Sequence, residues 1–148
     1  MMILRLANIH DIEQLIALRW AQTEELQGQA PTDVTFEAFS HEYRLFLETI
    51  LQDGQWKVWI AEMNHQIAAH IYAKCIQRVP TPGTVTKPYV YLSNAYTVPS
   101  YRDKGLQQTL LAAVNSWVMS NGYEFSMLTT TESTISECMK SGEQISAV

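Results

Sequence analysis

The sequence has no long apolar run, and it has few cysteines. No apolar run approaches the roughly 20 residues that a membrane-spanning helix needs. The N-terminal segment carries charges but no small-residue cleavage site, which argues against a signal peptide. The two cysteines, Cys75 and Cys138, are too few and too far apart for a disulfide framework or a zinc site. We therefore expect a cytoplasmic protein without a metal site or a membrane partner.

Basic residues are also scarce, because 10 Lys and Arg face 15 Asp and Glu and give a formal net charge of −5. This balance disfavours a nucleic-acid-binding surface. The acidic excess lies in residues 1–73, which hold four basic and ten acidic side chains, and most of these charges are interpreted as solvated helix surface. With 148 residues, 47% apolar content and no repeat or linker, the chain is expected to form one domain, 1–148.

A strand, a cationic turn and a helix follow one another in the second half of the chain. Residues 89–98 are aromatic and β-branched, which favours a strand, and Pro99 ends it. Apolar residues then recur at helical spacing over 106–118. The connecting residues 102–105 read RDKG, with two cations and a glycine at a point where helix N–H groups are unpaired. This turn is predicted to hold an anion or a phosphate.

The turn resembles the R-x-x-G-x-G/A signature of the GNAT superfamily of acyl-CoA-dependent N-acetyltransferases, and reads Arg102-x-x-Gly105-Leu106-Gln107 here. In that family the turn holds the pyrophosphate of coenzyme A (CoA), so the resemblance implies acetyl-CoA as cosubstrate. Gln107 stands where Gly or Ala is usual, and its longer side chain could crowd the phosphates or donate a hydrogen bond to them. The implied CoA-binding residues are Tyr96, Thr97, Val98, Arg102, Asp103, Lys104, Gly105, Leu106, Gln107 and Thr131.

The order of elements along the chain fits the same family. The predicted strands are 3–7, 56–62, 66–76, 89–98 and 124–130, and the predicted helices begin near Asp11, Thr35, Leu106 and Thr131. The second helix is expected to end at Gly54, and its aromatic stripe is interpreted as core. The resemblance implies an α/β (α+β) fold, with a mixed, mostly antiparallel central sheet flanked by helices and a shortened C-terminal end.

Acetyl transfer to an amine needs a polarised thioester carbonyl, a proton acceptor and a proton donor. In the family a backbone N–H near the end of the fourth strand, here Tyr96 to Val98, polarises the carbonyl. The family's general acid is a tyrosine of the last helix, but Cys138 holds that position. Tyr96 and Cys138 are our catalytic candidates, and Cys138 has an alternative interpretation as a small buried hydrophobe. The general base stays open among Glu24, Glu25, Glu62, His70 and Tyr96.

Three functions remain possible on this reading. The first is an N-acetyltransferase that moves an acetyl group from acetyl-CoA to a primary amine of a small molecule or a peptide. The second is a degenerate GNAT domain that binds acyl-CoA as a sensor or structural subunit, and the third is an unrelated α/β binding module. Residues 144–148 alternate polar and apolar, so a homodimer that uses this C-terminal edge is also predicted.

Overall fold

In the computed structural model, which describes residues 1–124 and 126–128, one sheet separates two helices from a third. Its strands are β1 (Met2–Leu6), β2 (Trp56–Met63), β3 (Gln66–Ile76), β4 (Tyr89–Thr97) and β5 (Ser126–Leu128). The helices are α1 (Ile12–Gln27), α2 (Phe36–Ile50) and α3 (Leu106–Ser120). The strands lie in the order β1-β2-β3-β4-β5, antiparallel except for the parallel pair β4 and β5. The predicted mixed, mostly antiparallel sheet flanked by helices is confirmed.

The hairpin of β2 and β3 forms around the predicted two-residue turn. Asn64 and His65 have φ values of 51° and 65°, as a hairpin turn with two left-handed residues requires. The strand β3 is central, and seven consecutive residues in it are buried. This continuous burial follows from helices that cover both faces of the sheet.

A capped 3-10 turn, Ile9–Asp11, leads into α1, and a side-chain cap lies at the start of α2, both near the predicted positions. The Asp11 carboxylate accepts from the N–H of Asn8 just before α1, and the Thr35 hydroxyl accepts from the N–H of Ala38 at the start of α2. The expectation that α2 ends at Gly54 is wrong, because the helix ends at Ile50. The chain turns before it reaches Gly54, and in this turn the Asp53 carboxylate accepts a hydrogen bond from the N–H of Gln55.

Two apolar clusters hold the helices against the sheet. On one face α3 buries the predicted stripe against β3 and β4, with Leu106, Leu110, Leu111, Val114 and Val118 all buried. On the other face α1 and α2 pack on β2 and β3 through Leu15, Ile16, Leu47 and Ile50. Side chains on one face of β4 therefore point toward α3, and those on the other face point toward α1 and α2.

The aromatic stripe of α2 lies at the rim of this second cluster instead of wholly inside it. Phe36 and Phe46 are 45% and 38% exposed, so its interpretation as core is wrong for these two rings. Together with Trp20 of α1 and Trp56 of β2, the stripe forms a row in which neighbouring centroids are 5.2–5.8 Å apart. Ring-to-ring contact, which needs no full burial, stabilises the row.

No helix within residues 1–124 and 126–128 has the length and apolar character needed to cross a bilayer. Several sequence predictions fall on other residues. The last helix, the candidates Thr131 and Cys138, and the proposed dimer edge at 144–148 lie outside the described residues.

Candidate active site

The turn between β4 and α3 is shaped by two residues in the left-handed region. Asp103 has φ 64° and Gly105 has φ 76°, and Gly105 is the residue immediately before α3. A Cβ at position 105 would also lie 3.4 Å from the Gln108 side chain. Glycine therefore fits this position for conformational reasons. The first N–H groups of α3 lack helical partners and point out of the helix start.

A cavity of about 110 Å³ lies against this turn. Its lining residues are Thr97, Tyr101, Arg102, Asp103, Gly105, Leu106, Gln107 and Gln108. The fold thus brings six of the ten sequence-predicted CoA-binding residues around one space. Lys104 lies beside it, with its ammonium 5.4 Å from the centre of the Tyr101 ring. The cavity combines a helix N-terminus with Arg102 in its lining and Lys104 beside it, against the acidic lining residue Asp103, and this balance suits an anionic group.

One backbone N–H near the end of β4 points away from β3 and therefore does not donate to that strand. The N–H of Val98 donates to the carbonyl of Ala68 at 2.8 Å, so it is committed to the ladder. Because antiparallel N–H groups alternate in direction along a strand, the N–H of Thr97 points away from β3. The described part of β5 pairs only with Val90, Tyr91 and Leu92. Of the three predicted carbonyl-polarising positions, Thr97 has the suitable direction.

Gln107 is fixed at the wall of the cavity by Thr97. The Thr97 hydroxyl donates to Gln107 Oε1 at 3.1 Å, and Gln107 is only 5% exposed. Its Nε2 is buried and has no hydrogen-bond partner within the described residues. A buried amide donor without a partner is costly, so this atom is suited to donate to a bound ligand.

Arg102 of the turn is tied to α1 by Glu25. Its guanidinium lies 2.6 and 2.9 Å from the two carboxylate oxygens of Glu25, and its Nε donates to the carbonyl of Thr97 at 3.0 Å. The guanidinium also lies 5.5 Å from the centre of the Tyr96 ring. The end of α1 is therefore part of the site, although 77 residues separate Glu25 from Arg102 in sequence.

Tyr96 shares the Glu25 carboxylate with Arg102. The Tyr96 hydroxyl donates to Glu25 Oε1 at 3.0 Å. Burial, together with this hydrogen bond, raises the pKa of Tyr96 to about 12. The hydrogen bond from Arg102 holds the pKa of Glu25 below its usual value. At neutral pH the phenol is therefore protonated and the carboxylate is charged, so in the resting site Tyr96 is a proton donor and Glu25 a proton acceptor.

Glu62 and His70, two of the other candidates for a general base, lie in less suitable places. Glu62 pairs with Arg5 at 3.3 Å, at the β1–β2 side of the sheet. His70 is fully buried between the rings of Tyr72 and Tyr96, and burial lowers its pKa to about 4. It is neutral at pH 7. In the described part of the chain, no three His, Cys, Asp or Glu side chains are grouped so that they could hold a metal ion.

A polar cluster that the sequence reasoning missed lies on the same side of β4 as Tyr96. Asn94, with φ 53°, forms a bulge in β4. Its Oδ1 accepts from Arg19 at 3.0 Å, and its Nδ2 donates to the Tyr43 hydroxyl at 3.3 Å. The Tyr43 and Tyr72 hydroxyls are 2.7 Å apart. The available sequence signal was the period of two that places Asn94 and Tyr96 on one strand face. In the structure Asn94 contacts α1 and α2, and Tyr96 contacts α1.

A family model and two solved structures that match this chain are described as acetyltransferases. A family model described as "Acetyltransferase (GNAT) family" matches residues 12–136. A predicted acetyltransferase from Clostridium acetobutylicum, solved with acetyl-CoA, is 26% identical with a TM-score of 0.79, over 97% of this chain and 90% of that one. A GCN5-related N-acetyltransferase from Ralstonia eutropha JMP134 is also 26% identical, with a TM-score of 0.78 over 97% and 93%.

A third solved structure carries an acceptor-like ligand. AAC(6')-Iy, in complex with the bisubstrate analogue CoA-S-monomethyl-acetylneamine, is 25% identical with a TM-score of 0.68, over 97% of this chain and 91% of that one. The comparison with curated proteins finds no significant match. The similarity therefore extends over nearly the whole chain at the level of fold.

Proposed function

The chain belongs to the acetyltransferase (GNAT) family, and we propose that it transfers the acetyl group of acetyl-CoA to a primary amine of a small molecule. Solved relatives that contain acetyl-CoA or a CoA-based bisubstrate analogue support acetyl-CoA as the cosubstrate. The observation that carries the proposal is the cavity at the start of α3, where Arg102, Gly105 and Gln107 surround one space.

In this proposal the turn and α3 bind the pyrophosphate of CoA. The first N–H groups of α3 and the Lys104 ammonium supply positive charge. Gln107 Nε2 donates a hydrogen bond to the cofactor, which gives this buried atom a partner. The N–H of Thr97 donates to the thioester oxygen and stabilises the negative charge that develops on it. Thr131, outside the described residues, stays a prediction as a CoA contact.

The reaction then needs one proton to move from the amine to the leaving thiolate. The amine nitrogen attacks the thioester carbon, the C–S bond breaks, and CoA leaves as a thiolate. Glu25 accepts the proton that the amine loses, and the Tyr96 hydroxyl gives its own proton to the thiolate. Proton transfer from Glu25 back to Tyr96 restores both groups. The protonated phenol and the charged carboxylate, 3.0 Å apart, have the required starting states.

Cys138 is a second proposed proton donor to the thiolate, because it stands at the position of the family's tyrosine. The competing function, an acyl-CoA binder without turnover, is favoured by the same substitution. A thermal-shift titration with acetyl-CoA tests binding for both functions. Release of free CoA thiol with a panel of primary amines separates them, since only a transferase releases thiol in an amine-dependent way.

We also propose the wider organisation that the sequence suggested. Residues 1–148 form one domain, the protein is cytoplasmic, and it is a homodimer. Only the alternating pattern of residues 144–148 supports the dimer.

A further inference from the structure

Arg19 differs from the other arginines of the chain in its partners. The chain has five arginines. Arg5, Arg44, Arg78 and Arg102 each pair with a carboxylate. Within the described residues, Arg19 makes no ion pair, and its hydrogen bonds go to two neutral amide oxygens. A half-buried guanidinium loses hydration without the compensation that a carboxylate gives.

The position of the Arg19 guanidinium is nevertheless set by its neighbours. Its Nη1 donates to Gln22 Oε1 at 3.3 Å and to Asn94 Oδ1 at 3.0 Å. Gln22 is only 7% exposed, and the Asn94 amide is held at its other end by the Tyr43 hydroxyl. No hydrogen bond from Nη2 or Nε of Arg19 is found among the described residues. One edge of the planar guanidinium is therefore left for a ligand, and such an edge matches a carboxylate.

This cation lies beside the reacting groups of the proposed transfer. Arg19 contacts Asn94 and Glu25 contacts Tyr96, and both contacts run from α1 to β4. Asn94 and Tyr96 are two residues apart in sequence, at the bulge of β4. Helix α1 thus supplies both a cation and a carboxylate to neighbouring residues of β4. Burial raises the pKa of both Tyr43 and Tyr72, and the nearby charge of Arg19 opposes part of that rise.

We propose that Arg19 binds a carboxylate of the acceptor, so that the acceptor is a short aminocarboxylate such as an amino acid, with its amine at Glu25. The inference rests on the proposed function and narrows its substrate class. It predicts selectivity against acceptors that carry only cationic groups, because such a molecule would meet the unpaired charge of Arg19. The acceptor class therefore differs from that indicated by the neamine-based ligand of AAC(6')-Iy.

Matched pairs of amines test the proposal on the wild-type protein. The probes are glycine, β-alanine and L-phenylalanine, each beside its carboxamide, with thiol release from acetyl-CoA as the readout. L-phenylalanine is included because the aromatic row of α2 continues from Tyr43 to Phe39, 5.3 Å away. We expect kcat/KM for at least one carboxylate to exceed that of its amide by about 10- to 100-fold, the range for a charge-assisted contact.

Two variants and a control assign the selectivity to Arg19. Arg19→Met should remove most of the preference for the carboxylate, and Arg19→Lys should restore part of it. Arg44→Met is the matched control, since it removes an arginine that pairs with Glu13 at an exposed position, and it should leave the preference unchanged.

The outcomes separate this inference from the proposed function. The inference is overturned if the amides react as fast as the carboxylates, if no carboxylate reacts, or if the preference survives in Arg19→Met. The comparison of each carboxylate with its carboxamide uses only the wild-type protein, so it does not depend on whether a variant folds. Failure of the proposed function has a different signature, in which no primary amine, with or without a carboxylate, releases CoA thiol, whether or not acetyl-CoA raises the melting temperature of the wild-type protein.

Discussion

At the scale of single residues, two neighbouring side chains are held in opposite protonation states at the site. Glu25 stays charged because Arg102 stabilises its carboxylate, and Tyr96 stays protonated because burial and Glu25 disfavour its phenolate. His70, in contact with Tyr96, stays neutral because it is fully buried. Each state follows from burial or from a neighbour that is distant in sequence, so residue type alone could not give it.

His70 should make the folding stability depend on pH in mild acid. Its pKa is about 4 in the folded protein, against about 6.5 for a free histidine. The unfolded chain therefore binds the proton first, and stability falls as the pH drops from about 6.5 toward 4. The size of the loss is up to about 3 kcal/mol. Urea unfolding of wild type and of His70→Phe across this range measures it, and an equal loss in both proteins would contradict the assignment to His70.

Gln107 should act as a donor to CoA. Removing the donor while keeping the size, in Gln107→Leu, should weaken CoA binding by roughly 1–3 kcal/mol. Gln107→Gly should weaken it as well, because the same donor is lost. Isothermal titration with CoA measures both variants. Tighter binding in the glycine variant would show instead that the side chain crowds the phosphates.

At the scale of elements, local signals predicted most of the secondary structure. β3 has the predicted bounds, and β4 differs by one residue at its end. Pro99, Gly105 and the Asn64-His65 turn mark these bounds through backbone geometry, which a sequence shows directly. The end of α2 and the exposure of Phe36 were not predicted. They depend on the following turn and on what covers the helix, which are tertiary properties.

Only the CoA turn of the candidate site could be predicted from the sequence; the contacts between α1 and β4 could not. The CoA turn is a contiguous segment, so its residues could be identified together. The contacts of Arg102 with Glu25 and of Arg19 with Asn94 join residues 77 and 75 positions apart. These contacts depend on how α1 packs against β4, and no local sequence pattern predicts that packing.

The link between α1 and the CoA turn makes a prediction about cofactor binding. Arg102→Glu should abolish the rise in melting temperature that acetyl-CoA gives, because it places a carboxylate beside Glu25 at the mouth of the cavity. Glu25→Gln is the matched control, since it removes the charge on the other partner and should preserve the rise. Differential scanning fluorimetry measures both. A full thermal shift in Arg102→Glu, in a folded protein, would remove this turn from the cofactor site.

At the scale of the whole molecule, the sheet lies between the proposed cofactor side and the proposed acceptor side, which the ion pair of Glu25 with Arg102 joins at the end of β4. α3 and its N-terminal cavity lie on one face, and α1 with Arg19, Glu25 and the aromatic row lies on the other. The end of β4 lies between the two sides, so a thioester held there is accessible to an amine from the opposite face. This arrangement explains why side chains of both faces meet at Tyr96 and Thr97.

The homodimer is a separate prediction at this scale. Sedimentation at micromolar concentration should give about twice the chain mass of 16.9 kDa. Deletion of residues 144–148 should shift the species toward monomer, because the segment is predicted to pair with a neighbouring sheet edge. A monomer whose mass falls only by the deleted residues would refute the dimer without affecting the proposed chemistry.

The central claim is that the protein transfers an acetyl group from acetyl-CoA to an amine, with Glu25 as proton acceptor. The most direct test measures CoA thiol release with the amine panel for wild type and for Glu25→Gln. We expect amine-dependent release in wild type and a loss of about 100-fold or more in the variant, while acetyl-CoA still raises the melting temperature of both. Thermal stabilisation by acetyl-CoA without any amine-dependent thiol release in wild type would contradict the account and leave a domain that only binds the cofactor.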